Sequence, residues 1–168
     1  MRLNGCRFGT HRVISPLGTL PQPAQKLDNT MEIYDNEILI EVSTLNIDSA
    51  SYTQIRHACG DDADQMKKMI LSIVEDRGKM QNPVTGSGGM LIGTVKEIGP
   101  NFHSNNKVKV GDKIATLVSL SLTPLKIERI NNLDPMHDQV DISGQAILTV
   151  HLTNDLNNDP DGITLMTA

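Results

Sequence analysis

Acidic, amide and hydroxyl side chains meet in one short stretch, Asn46-Ile47-Asp48-Ser49-Ala50-Ser51-Tyr52, where strand-like residues give way to helix-like ones. An ionised Asp holds a cation through a charge-assisted contact. Ser hydroxyls can relay a proton, and an Asn amide offers both a donor and an acceptor. Each residue also has an ordinary structural role. Asp48 at the head of a helix is a cap or a first-turn acid, and Ser49 and Ser51 can cap as well. Asn46 is a natural turn residue, and Tyr52 can anchor an aliphatic core. Upstream, Arg12 can clamp a carboxylate or make a surface ion pair. The remaining histidines, among them His57, His103, His137 and His151, have no partners at ligand spacing. Gly86-Ser87-Gly88-Gly89 superficially suggests a phosphate loop, but a dinucleotide fingerprint sits between a strand and a helix. Here a strand follows the glycines, which favours a structural turn.

The elements that must position these residues are legible in the spacing. Ile38, Ile40 and Val42 alternate, predicting a strand with one buried face over 37–42. A short helix is expected over 49–59, capped by Ser49 or Ser51 and stopped by Gly60. A second helix, capped by Asp61 or Asp62, runs to about Arg77. Its stripe is Ala63, Met66, Met69, Ile70, Ile73 and Val74, and Gly78 closes it. Further strands are predicted over 13–15, 90–98, 108–110, 113–118, 123–131 and 138–150, with an ordered loop at 16–30. Frequent turns and an excess of strands give a mainly β protein with two inserted helices, α+β in class.

Composition narrows the function classes. The chain has 168 residues and a net charge of -5, with basic residues scattered rather than clustered, so a nucleic-acid partner is not expected. No apolar run approaches a membrane span and no signal-peptide core opens the chain, so no membrane partner is expected and a cytoplasmic location is. Cys6 and Cys59 do not make a disulfide framework. There is no Trp, and Phe8, Tyr34, Tyr52 and Phe102 are the aromatics, so the core is aliphatic with Met as filler. From His151 to Ala168 the chain turns polar and breaker-rich, which reads as a poorly ordered tail.

Two longer patterns carry a resemblance. Gly93-Thr94-Val95-Lys96-Glu97-Ile98-Gly99, followed by Val108-Lys109-Val110-Gly111-Asp112-Lys113-Ile114, is similar to a strand and Gly-Asp-turn signature of the medium-chain dehydrogenase superfamily. The runs Phe8–Ile14, Leu20–Ala24, Met31–Ile40, Thr44–Ser51, Asn82–Gly93 and Ile114–Leu125 resemble its L-erythro-3,5-diaminohexanoate dehydrogenase family. The resemblance covers roughly residues 8–148. It implies a GroES-like, partly open β-barrel over 1–150 that supplies the substrate half of an amine-oxidising enzyme of lysine fermentation. Such an enzyme passes hydride to NAD or NADP and releases ammonia. The resemblance further implies Asp48 and Ser49 as catalytic residues and Asn46, Ser51, Tyr52 and Arg12 as substrate contacts. It implies a diamino acid as the small-molecule partner, and homo-oligomers among full-length relatives.

The sequence also departs from the superfamily. Zinc members carry a Cys at the strand-to-helix corner and a Gly-His-Glu before the Gly-x-Val strand. Here Ile47 stands at the corner, and either Gly88-Gly89-Met90 or Gly86-Ser87-Gly88 stands before the strand. A catalytic zinc wants three Cys, His or carboxylate ligands, so no zinc is expected. A Rossmann domain is absent from these residues, which suggests a truncated or frameshifted chain that binds NAD(P) weakly and does not turn over alone. A non-catalytic GroES-like binding or assembly module is the alternative. A GroES-like co-chaperone, a weaker idea, lacks a mobile apolar loop.

Overall fold

The structure is a computed structural model that describes residues 1–102, 108–149 and 164–166. His103, and residues 151–163 and 167–168 of the polar tail, His151 among them, lie outside the described residues. The strands are β1 (Val13–Ser15), β2 (Lys26–Leu27), β3 (Glu37–Ile47), β4 (Gly89–Ile98), β5 (Lys113–Thr116), β6 (Leu125–Asp134), β7 (Gln139–Thr149) and β8 (Thr164–Met166). The helices α1 (Ser49–Ala58) and α2 (Ala63–Arg77) fall between β3 and β4. One sheet has the order β6-β7-β3-β4-β5-β8, and β1 pairs with β2 in a separate two-stranded sheet. Every pairing in the larger sheet is antiparallel except β5 with β8. The class is therefore mainly β with two helices.

β3 is the spine, pairing with β4 on one side and β7 on the other. It is longer than the alternation predicts, because both pairings shift register between Val42 and Thr44. The irregularity moves the buried positions from Ile38, Ile40 and Val42 to Leu45 and Ile47. It thereby carries the strand five residues further, to the corner at Asp48. Two other expectations need correcting. Val108–Val110 is not a strand. It leads into a turn in which Lys109 N–H donates to Asp112 Oδ2 at 2.8 Å and Gly111 N–H to the Val95 carbonyl at 2.8 Å. β5 also ends at Thr116 rather than 118.

The helices follow from caps and an apolar stripe. Asp62 accepts from the backbone N–H groups of Asp64 and Gln65, and Gly78 closes α2 in the left-handed region. Met66, Ile70, Ile73 and Val74 are buried, whereas Met69 is half-buried and Ala63 exposed. Their stripe joins Tyr52 and Ile55 of α1 and the inward face of the sheet in one aliphatic core. Burying an Ile or Leu of this kind stabilises by about 1.5–3 kcal/mol. No helix among the described residues is long and apolar enough to cross a membrane.

Candidate functional site

The corner after β3 is held by backbone. Asp48 N–H donates to the Gly88 carbonyl at 3.0 Å, and Gly89 opens β4 opposite Ile47. Gly89 has φ 135°, and a Cβ there would run into the Asn46 carbonyl. At Gly88 a Cβ would sit 2.5 Å from the Ser121 backbone nitrogen and 2.9 Å from the Met80 carbonyl oxygen. Two glycines thus let three chain segments close on one another. The cap of α1 is Asp48 itself, not Ser49 or Ser51: its Oδ1 accepts from Ala50 N–H at 3.0 Å. Ser49 is the exposed first residue of the helix.

Ser51 is fully buried, one turn into α1. Its Oγ is hydrogen-bonded to Thr85 Oγ1 at 2.6 Å and to Ser87 Oγ at 2.5 Å, and those two lie 3.1 Å apart. Buried Asn82 ties the same loop to α1, donating from Nδ2 to Gln54 Oε1 at 2.8 Å. Around this arrangement lies an open cleft of about 400 Å³, lined by Gln22, Asp48, residues 85–89, Leu117, Ser119 and Ser121. Ser51 is absent from that lining and reaches it only by its bonds to Thr85 and Ser87. Larger hollows lie elsewhere, such as a groove of about 740 Å³ along α1 and α2, but they lack this convergence of a helix N-terminus, a glycine floor and hydroxyls.

Among the described residues, Asp48 is the one charged side chain lining the cleft. The sequence shows why. Segments 15–25, 80–95 and 114–125 carry no Asp, Glu, Lys or Arg, and Asp48 is the only such residue between Glu41 and Arg56. Three uncharged segments converging on a lone carboxylate are the signal that could have identified Gln22, Thr85, Ser87, Ser119 and Ser121. Each of these is unremarkable alone, and sequence reasoning missed them.

The other expected site residues do not gather here. Tyr52 is 1% exposed, in the core, and its hydroxyl has no hydrogen-bond partner among the described residues. Burial first, then the charges of Asp138 and Asp134, push that phenol above its ordinary range. Tyr52 therefore anchors the core and does not line the cleft. Asn46 is half-buried between Met90 and Gln139 on the neighbouring strands and is also outside the cleft lining.

Arg12 is the clearest correction. It is 1% exposed and lies against Glu37, at the far end of β3 from Asp48 and about 30 Å along the strand. Its Nε donates to Glu37 Oε1 at 2.9 Å and its Nη2 to Glu37 Oε2 at 2.6 Å. The carbonyls of Thr30 and Glu32 take further bonds at 2.7 and 2.9 Å. With its donors spent, Arg12 has nothing left for a ligand. Glu37, fully buried, also meets His11 Nε2 at 2.7 Å and the Tyr34 N–H at 2.8 Å. Burial pushes the Glu37 carboxyl up, but the bonds from Arg12 and His11 and the Arg12 charge outweigh it and hold it below the ordinary glutamate range.

The residues present do not fit a diphosphate. The Gly86–Gly89 loop feeds strand β4 rather than a helix, and the N-terminus of α1 beside it is capped by the Asp48 carboxylate, which repels phosphate. Nor does the donor set before β4 suit zinc: Ile47 is buried in the core and 86–90 supply neither His nor Glu.

A profile of the L-erythro-3,5-diaminohexanoate dehydrogenase N-terminal domain matches residues 11–154. The chain belongs to that family. It is 63% identical over 144 residues to an L-erythro-3,5-diaminohexanoate dehydrogenase of Fusobacterium nucleatum, covering 86% of this chain and 42% of the relative. It is 60% identical over 146 residues to an enzyme of the same name from Acetoanaerobium sticklandii, covering 87% of this chain and 42% of that relative. The chain thus spans less than half the length of the relatives it matches, and the family match over 11–154 includes β1 to β7 and the residues lining the cleft.

Proposed function

We propose that this domain is the substrate-binding half of a cytoplasmic, nicotinamide-dependent dehydrogenase that oxidises the amine of L-erythro-3,5-diaminohexanoate in lysine fermentation. In this reading the sheet is a GroES-like, partly open barrel of the medium-chain dehydrogenase superfamily, and the full-length enzyme is a homo-oligomer. NAD or NADP is held by the part of the enzyme beyond the domain, since the glycine loop here does not suit a diphosphate. When bound, the nicotinamide supplies the hydride acceptor. The domain's own residues bind and orient the diamine.

The observation that carries this reading is that, among the described residues, the cleft is lined by a single carboxylate beside hydroxyls and backbone, and by no cation. A substrate with two ammonium groups and one carboxylate is recognised by acceptors on its cationic side. Asp48 takes one ammonium, while Thr85 and Ser87, fixed by buried Ser51, offer hydroxyl acceptors beside it. Ser49, exposed in the first turn of α1 next to Asp48, offers a hydroxyl for a proton.

The experiment is an NMR titration of the labelled domain with L-erythro-3,5-diaminohexanoate and, as control, hexanoate. Shifts in 46–51 and 85–89 that saturate with the diamine and not with hexanoate are expected. A charged contact of this kind contributes roughly 1.5–3 kcal/mol, so Asp48→Asn should weaken binding by one to two orders of magnitude. Equal shifts with both ligands, or wild-type affinity in Asp48→Asn, would remove Asp48 from the site. Calorimetry with NAD and NADP on the same protein should show no saturable binding at micromolar levels.

A further inference from the structure

Lys79 follows α2 directly and is fully buried. Its Nζ donates to the Pro21 carbonyl at 2.7 Å and the Gln22 carbonyl at 3.0 Å, and no carboxylate pairs with it among the described residues. A buried lysine without a counter-ion is costly, and the fold places this one behind a wall of the cleft. Gln22 lines the cleft together with Asp48 and Ser87. Gln81 strengthens the link, donating from Nε2 to the Gln22 carbonyl at 3.3 Å and to the Gly86 carbonyl at 3.1 Å. Arg77 holds the end of the same loop through the Gln25 carbonyl at 3.2 Å, and holds the Gln81 carbonyl at 2.7 Å.

We infer that Lys79 is a positioning residue for the cleft: as a neutral amine it ties the Pro21–Gln22 backbone down as the cleft wall, and carrying a proton it favours release of that wall. The inference rests on the cleft being the site, yet its test needs no ligand. The charges around Lys79 are few. The loop it holds, 15–25, and the segments 80–95 and 114–125 have no Asp, Glu, Lys or Arg, so Arg77 on the end of α2 is the charged neighbour. Burial first, then repulsion by Arg77, brings the Lys79 ammonium down to about 7. A lysine on an opened loop returns to about 10.4. Opening therefore takes up a proton between those two values. It becomes harder by up to roughly tenfold for each pH unit above 7, and below 7 it is insensitive to pH.

Hydrogen exchange of the whole chain, corrected for intrinsic rates, reads this directly. Protection of residues 17–25, measured against core strands β3 and β7, should be flat from pH 6 to 7 and climb from 7 to 8.5. Lys79→Met removes both the tethers and the titration, so the loop should exchange faster with no slope. Lys79→Arg stays charged, so it should also be flat, with low protection. A flat wild-type profile overturns the inference, and so does a Lys79→Met profile that keeps the wild-type slope. The wild-type profile decides the matter even if a variant fails to fold. It is independent of whether the diamine binds, so failure of the Asp48 reading and failure of this one are separable.

Discussion

Replacing Arg12 with Met keeps an aliphatic stem in the same space but removes the guanidinium that faces Glu37. Glu37 is fully buried and would keep only His11 and the Tyr34 N–H as partners. The carbonyls of Thr30 and Glu32 would lose their donor as well. Breaking one side of a buried pair in this way costs about 3–5 kcal/mol. In a domain of this size each kcal/mol moves the melting point by about 2–4 °C, so Arg12→Met should melt roughly 6–20 °C lower. The assay is thermal and urea unfolding at several pH values. Because the Glu37 carboxyl is held low in the folded state, the stability it contributes is present above the unfolded value of about 4.3 and lost as pH falls through the folded one. Arg12→Met should shrink that acid-side loss. The double variant Arg12→Met/Glu37→Leu should recover part of the stability, since no lone charge remains buried. A melting point within 2 °C of wild type for Arg12→Met would refute the reasoning and return Arg12 to the candidate contacts for a substrate carboxylate.

Two further outcomes test the frame around the cleft. Gly89→Ala forces a side chain onto a φ of 135° and against the Asn46 carbonyl. It should cost on the order of 2–4 kcal/mol in urea unfolding, and unchanged stability would mean the corner is looser than it stands. Asp62→Ala removes the cap of α2 and should cost about 1 kcal/mol, whereas Asp62→Asn should stay within a few tenths. Equal melts for the two would show that the carboxamide does not replace the carboxylate as a cap.

The legible and the hidden parts of this protein divide by range. α2 could be read almost to the residue, because its cap, stripe and closing glycine are local and agree with one another. β3 was read short at Val42, since its irregularity turns the alternation over at Ser43–Thr44, and periodicity sees only a break. Val108–Val110 alternates like a strand. Yet Gly111 and Asp112 exchange backbone bonds with Val95, which makes that segment the approach to a turn. The sequence offers Arg12 as a carboxylate contact or a surface ion pair, because the partner that buries it, Glu37, lies 25 positions away. The cleft was half legible. Asp48 stood out by its place at the corner. Gln22, Thr85, Ser87, Ser119, Ser121 and Lys79 come from segments joined only by the tertiary fold, and none has a type that advertises chemistry in isolation.

Capping and the proposed recognition, rival roles for Asp48 in the sequence, are compatible in the structure. The cap uses Oδ1 on Ala50 N–H and fixes the carboxylate at the mouth of α1. Oδ2 has no hydrogen bond to the described residues, and Asp48 is one of the residues that line the cleft. A carboxylate held by one oxygen loses little freedom when the other meets a cation, so the helix preorganises the contact. The two roles separate by substitution. Asn keeps an oxygen for Ala50 N–H but not the charge, so Asp48→Asn should melt near wild type while losing the diamine. Ala loses both, so Asp48→Ala should melt lower by the equivalent of about 1 kcal/mol and also fail to bind. If neither Asp48→Asn nor Asp48→Ala lost binding, and only Asp48→Ala lost stability, the carboxylate would be a cap alone.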